Sequence, residues 1–287
     1  MILLSVYLVT LNEERRLPYA LEKAALLADE IIVVDSGSID DTEKIAKKFG
    51  AKFIHNPWKS IGHQVSFAEK CCSHKWVLRL DADEVLSDEL VEEIRQIKKN
   101  PEYDGYKLRI GDVYPGRDLP LRWVKHYKLI RLYNRDAMEM SGAFGHDDVV
   151  FKIKKPRIKT LSEFVCHYSY LGLNHLYEKR LFESDMQLKR ALLEKKNYSP
   201  WRMVGAMFLN FIKVFFVDRY IFYGFWGFIM ALSVGHLRFL KFAKFYENNQ
   251  LEKHVYLPLQ DDMVALGNAF AVEDGKSEKR SEEESRR

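Results

Sequence analysis

The chain has 287 residues, 47% of them hydrophobic, and 45 Lys and Arg against 41 Asp and Glu give a net charge of +4. That is enough apolar material for one large domain, or one domain with an appendage, and the charge is too mild to point to nucleic acid as a partner. Cys71, Cys72 and Cys166 lack zinc-type spacing, which predicts reduced thiols in a cytosolic protein.

The N-terminal run has no basic stretch and no cleavage-like small-residue site, so Leu3 to Thr10 reads as a first strand and not as a signal peptide. Next come a helical pattern from Glu14 to Leu27, a strand from Ile31 to Asp35, a helix from Asp41 to Phe49 and a strand from Lys52 to Ile54. A helical stretch from His63 to Cys72 leads into the strand Trp76 to Leu80, and Ser87 opens a helix from Asp88 to Lys99. Strand and helix in alternation predict an α/β fold with a parallel sheet covered on both faces, whose ligands sit at the carboxyl ends of the strands.

Three of those ends are polar: Thr10-Leu11-Asn12-Glu13, Asp35-Ser36-Gly37-Ser38 and Asp81-Ala82-Asp83-Glu84. Each alone reads as a turn or helix cap, but together they describe a nucleotide pocket. A carboxylate accepts from base or ribose, a glycine turn lets backbone approach, and paired carboxylates hold a hard divalent cation that in turn holds phosphate. No Gly-x-Gly-x-x-Gly follows the first strand and no Gly-Lys-Ser/Thr loop occurs, so phosphate binding must rest mainly on metal.

In this order the three motifs resemble those of family 2 glycosyltransferases, over residues 1 to about 250. The closer likeness is to the branch with lipopolysaccharide inner-core glucosyltransferases of the WaaE type. The resemblance implies a GT-A fold, that is, a Rossmann-like, mostly parallel central sheet flanked by helices, with a C-terminal helical membrane-associating region. It implies inverting transfer from a nucleotide sugar, UDP-linked, to a lipopolysaccharide-core or other envelope glycolipid or saccharide acceptor. The cofactor would be a divalent metal, Mn or Mg.

Thr10, Asn12, Glu13, Asp35, Asp81, Ala82, Asp83, Arg131 and His146 would bind the nucleotide sugar, and Asp83, Asp81 and His167 the metal. Inversion needs a base on the acceptor hydroxyl, and the resemblance, in which a His-Glu or His-Asp pair stands here, implies Asp147 of Gly145-His146-Asp147-Asp148, with Asp148 as the alternative. His167 reads equally well as a hydrogen-bonded core histidine. The basic, aromatic run Arg117 to Lys128 suits an anionic acceptor, with Trp123 and Tyr127 available to stack on sugar faces. Phosphoryl or nucleotidyl transfer at Asp81 and Asp83 is the competing chemistry, and an inactive membrane-bound scaffold the competing class.

From Trp201 to Tyr246 the chain turns aromatic and apolar, but its longest uncharged stretch, Tyr220 to Gly235, is short of the ~20 residues that span a bilayer. Arg238, Lys241 and Lys244 share a helical face, which predicts interfacial helices on an anionic leaflet and a peripheral protein on the inner face of the cytoplasmic membrane. Packing on the catalytic domain, or self-association into a homo-oligomer, explains the same pattern. The expected division is a catalytic domain over 1–195, apolar helices over 196–256 and a charged, disordered tail over 257–287.

Overall fold

A computed structural model describes residues 1–142, 148–193 and 201–251. The first half follows the expected alternation: β1 (Leu4–Thr10), α1 (Leu17–Ala25), β2 (Glu30–Asp35), α2 (Thr42–Lys48), β3 (Lys52–His55), α3 (Ile61–Lys70) and β4 (Trp76–Asp81). A short β5 (Glu84–Leu86) and α4 (Asp88–Lys99) follow, then β6 (Gly105–Asp112), β7 (Tyr127–Asn134), β8 (Met138–Met140), β9 (Val149–Phe151) and β10 (Ile158–His167). The helices α5 (Leu173–Leu193), α6 (Trp201–Ile212) and α7 (Phe225–Leu251) come last.

The main sheet runs β3-β2-β1-β4-β7-β6-β10-β5, with β8 and β9 forming a separate pair. Strands β1 to β4 run parallel to one another because a helix returns the chain each time. Beyond β4 the sheet is mixed: β7 is antiparallel to both β4 and β6, while β10 is parallel to β6. A loop instead of a helix joins β6 to β7, so the chain reverses there.

Both faces of the sheet are covered, and β1 shows how. Leu4, Val6 and Leu8 point into a cluster with Leu17 and Leu21 of α1 and Leu90 and Ile94 of α4. Tyr7 points the other way, against Ile32, Val34 and Val65, so successive residues of one strand feed two cores. Burial of each such aliphatic side chain contributes about 1.5–3 kcal/mol. The three cysteines are free thiols, Cys71 closing α3 and Cys72 following it.

The chain divides into two compact units, residues 1–176 with 215–229, and residues 177–214 with the chain from 230 onward. Residues 215–229 fall in the same unit as the sheet. Polar and aromatic contacts hold them there: Tyr223 donates to the Asp112 carbonyl at 2.9 Å, accepts from Leu121 N and lies edge-on to Tyr114, and Lys125 N donates to the Asp218 carbonyl at 3.0 Å. Within the second unit, Lys244 pairs with Asp185 of α5, and Arg238 donates to Gln187. Lys241 lies over the Phe242 ring, so each of the three cations expected on a leaflet has a partner within the protein. Among the described residues no helix is long and apolar enough to cross a membrane. The charged tail lies outside the described residues.

Helix α4 starts as expected. Ser87 accepts a hydrogen bond from Leu90 N at 3.2 Å, and Asp88 and Glu89 sit in the first turn, where carboxylates favour the helix dipole. Ser87→Ala is expected to destabilise the protein by about 1 kcal/mol in urea unfolding.

Candidate active site

Parallel pairing assembles the site. Thr10 lies opposite Asp35 across β1 and β2, and Val9 lies opposite Asp81 across β1 and β4, so the three polar loops leave the sheet at one edge.

The Asp35 turn is closed on itself. One carboxylate oxygen accepts from Gly37 N and Ser38 N at 2.8 and 2.7 Å, and the other from the Thr10 hydroxyl at 2.9 Å and the Ser38 hydroxyl. Gly37 has φ of +117°, which side-chain-bearing residues rarely adopt. Asn12, at φ of +55°, stitches the neighbouring loop to this turn by accepting from Ile39 N, while its own N donates to the Ser38 hydroxyl. Asp35 is 2% exposed. Its oxygens build the loop, and they reach a base only by exchanging one of these bonds.

The Asp81 loop carries the charge. Asp81 is bound on one oxygen by Arg79 at 3.1 Å and on the other by Arg131 at 2.9 Å, and Arg131 also reaches Glu84 at 3.0 Å. Burial opposes the charge on Asp81, but the two guanidiniums outweigh it and hold the carboxyl far below its usual range. For Glu84 burial wins and its carboxyl titrates above the usual range. Arg131, 3% exposed, is therefore a buried counter-ion, with Nε and Nη1 unpaired among the described residues.

Asp83 faces elsewhere. Its Oδ2 lies 3.3 Å from His167 Nε2 and 3.3 Å from Arg16 Nη1, and its carbonyl accepts from Tyr168 N at 2.9 Å. Glu13 fixes Arg16 from behind at 2.7 Å. The other ring nitrogen of His167, Nδ1, is 2.9 Å from Asp112 Oδ1. Burial works against a charged imidazole here, but the hydrogen bonds to Asp112 and Asp83 overcome it and push the His167 pKa up to about 10. The Asp83 carboxyl is lowered: burial opposes this, and His167 and Arg16 prevail.

Of the expected metal donors, Asp83 and His167 come together, while Asp81 has both oxygens on arginines. Among the described residues no three His, Cys, Asp or Glu side chains gather around one point. A carboxylate and an imidazole are donors of the kind that suit a divalent cation. Ala82 is buried between the two acids. His146 and Asp147 lie outside the described residues. On the described residues to either side, Ser141 N donates to the Asp148 carbonyl at 2.9 Å, and Glu69 accepts from Met140 N at 2.6 Å.

Near the same edge, Trp123 and Tyr127 are 61% and 64% exposed. The cations around them are partly matched, Arg122 by Glu163 and Lys125 by Asp218. The sequence reading missed Arg16, Arg79, Asp112 and Tyr220. Arg16 precedes an unremarkable helix, and Tyr220 sits in a segment that reads as apolar. Asp112 closes a strand that the alternation pattern did not disclose.

With its acids and glycine turn gathered at the carboxyl edge of the sheet, the chain matches the family model described as "Glycosyl transferase family 2" over residues 5–168. The chain belongs to this family and is a glycosyltransferase, with the expected GT-A fold; phosphoryl and nucleotidyl transfer are set aside. A protein of Rickettsia typhi described as an uncharacterized glycosyltransferase is 36% identical over 88% of this chain and 89% of its own length. The lipopolysaccharide core biosynthesis glycosyltransferase LpsC of Rhizobium meliloti is 25% identical over 91% of this chain and 97% of its own length. A crystal structure of S. aureus TarS residues 1–349 with UDP is 17% identical, with a TM-score of 0.44 over 89% of this chain and 93% of that one.

Removing Arg131 leaves Asp81 and Glu84 buried with one guanidinium fewer, so Arg131→Met is expected to cost about 3–5 kcal/mol. The orphaned carboxylates would bind protons more tightly folded than unfolded, so the deficit shrinks as pH falls. Unfolding in urea at pH 5 and pH 8 checks both the size and the sign.

Proposed function

We propose that this glycosyltransferase is a metal-dependent, inverting enzyme that moves a sugar from a nucleotide sugar, UDP-linked, to a lipopolysaccharide-core or related envelope saccharide. The observation that supports it is Asp83 facing His167 at 3.3 Å, on the sheet edge where the Asp35 turn opens. The similarity to LpsC supports the acceptor class.

In this reading Asp83 and His167 hold a divalent ion, Mn or Mg, which when bound stabilises the charge growing on the diphosphate. The turn formed by Thr10, Asn12 and Asp35 receives the nucleoside, and the buried Arg131, with donors to spare, steadies the acidic loop beside the diphosphate. Asp147 removes the proton of the acceptor hydroxyl as the sugar carbon is attacked from the face opposite the leaving group, with His146 beside it. The exposed Trp123 and Tyr127 offer flat faces to the acceptor sugar, and Lys128 and Arg117 favour an anionic one. Acting on an envelope acceptor, the protein would sit at the inner face of the cytoplasmic membrane, where exposed Phe216, Phe222 and Phe225 would supply apolar contact.

A screen of nucleotide sugars with Mn or Mg, with and without truncated lipopolysaccharide, is expected to show acceptor-dependent release of UDP. Asp147→Asn should lower transfer by about 10²–10⁴-fold while UDP still protects the protein in a thermal melt. Asp83→Asn should lose transfer and the metal-dependent part of that protection together. Full transfer by folded Asp147→Asn removes the base assignment. The absence of metal-dependent protection by any nucleotide favours an inactive scaffold.

A further inference from the structure

Strands β6 and β10 are parallel, and their last residues, Asp112 and His167, are register partners. The Asp112 side chain is 13% exposed, and among the described residues no arginine or lysine pairs with it. Its Oδ1 faces His167 Nδ1 at 2.9 Å, and its Oδ2 accepts from the Tyr220 hydroxyl at 2.9 Å and the Tyr114 hydroxyl at 3.3 Å. Burial and the adjacent Asp112 charge raise both phenols, so both remain protonated donors.

The imidazole thus has a carboxylate on each nitrogen. A histidine whose Nδ1–H is held by a carboxylate has its tautomer and ring plane fixed, and its Nε2 presented in one direction. Here that direction is Asp83. Tyr220 lies in the segment 215–229, about fifty residues past β10, so a part of the chain that carries none of the family's motifs reaches the acidic loop through two hydrogen bonds.

We propose that Asp112 is a positioning residue that aims His167 at Asp83, and that Tyr220 holds Asp112 in place so that the segment 215–229 sets the geometry of the donor site. This rests on the reading of Asp83 and His167 as the metal donors. Tyr223 provides the contrast, because its hydroxyl binds the backbone carbonyl of Asp112 and not the carboxylate.

Two readouts on the full-length protein test it: Mn²⁺ binding in the presence of UDP, followed by the paramagnetic signal of the free ion, and the proton resonance of His167 Nδ1–H, assigned by its loss in His167→Gln. Asp112→Asn is expected to weaken Mn²⁺ binding by about 10–100-fold and to remove or strongly shift the resonance. Tyr220→Phe should move both in the same direction by a few fold, and Tyr223→Phe should lower the melting temperature while leaving both readouts as in the wild type. Wild-type affinity and resonance in folded Asp112→Asn overturn the proposal. Where Asp112→Asn does not fold, wild-type values in Tyr220→Phe overturn it. A wild-type protein that binds no Mn²⁺, with the resonance still lost in Asp112→Asn, refutes the metal reading alone and leaves the positioning role standing.

Discussion

The antiparallel pairing of β5 with β10 is the constraint on which the site depends. It sets His167 opposite Glu84 and lets Tyr168 N hold the Asp83 carbonyl, which joins two segments more than eighty residues apart. Strand β5 is only three residues long and follows the acidic motif directly. It cannot form without bending the chain sharply at Ala82 and Asp83, so the ladder that closes the sheet also shapes the acidic turn. The buried Arg131, bonded to both Asp81 and Glu84, makes that bend electrostatically tolerable.

The two acids of the Asp81-x-Asp83 motif then have unequal surroundings. Asp81, at the end of β4, points toward arginines on β4 and β7, while Asp83 points toward a histidine on β10 and an arginine at the start of α1. One neighbourhood is fixed inside buried strands, the other by the last residue of a strand and the residue that opens a helix. A residue held at the ends of elements can exchange partners at lower cost, which suits Asp83 better than Asp81 to a ligand that comes and goes.

Much of this was legible in the sequence. Apart from the three-residue β5, helices and strands through Lys99 follow from apolar periodicity and caps, and Thr10, Asp35 and Asp83 stand out because polar residues end apolar runs. What periodicity could not show is partnership. Nothing local distinguishes Asp112 from a strand-end acid, or Tyr220 from its aromatic neighbours, because their roles arise from bonds across a sheet and across about a hundred residues. The same limit explains the basic face of α7. Spacing identifies Arg238, Lys241 and Lys244 as sharing a side, and only tertiary packing shows Lys244 given to Asp185. The parallel sheet was foreseen where helices connect strands and was missed where a loop does.

Arg16 and His167 give the acidic edge a further property. Around Asp83 and Asp112 the chain supplies its own positive partners, a guanidinium and an imidazole, so both carboxylates are held from within the protein. On the proposed metal reading, a cation would enter here by exchange and not by simple addition: the guanidinium would have to swing aside and an imidazole proton depart to solvent. The contacts around Asp83 would then act as a threshold as well as a scaffold, favouring an ion of high charge density.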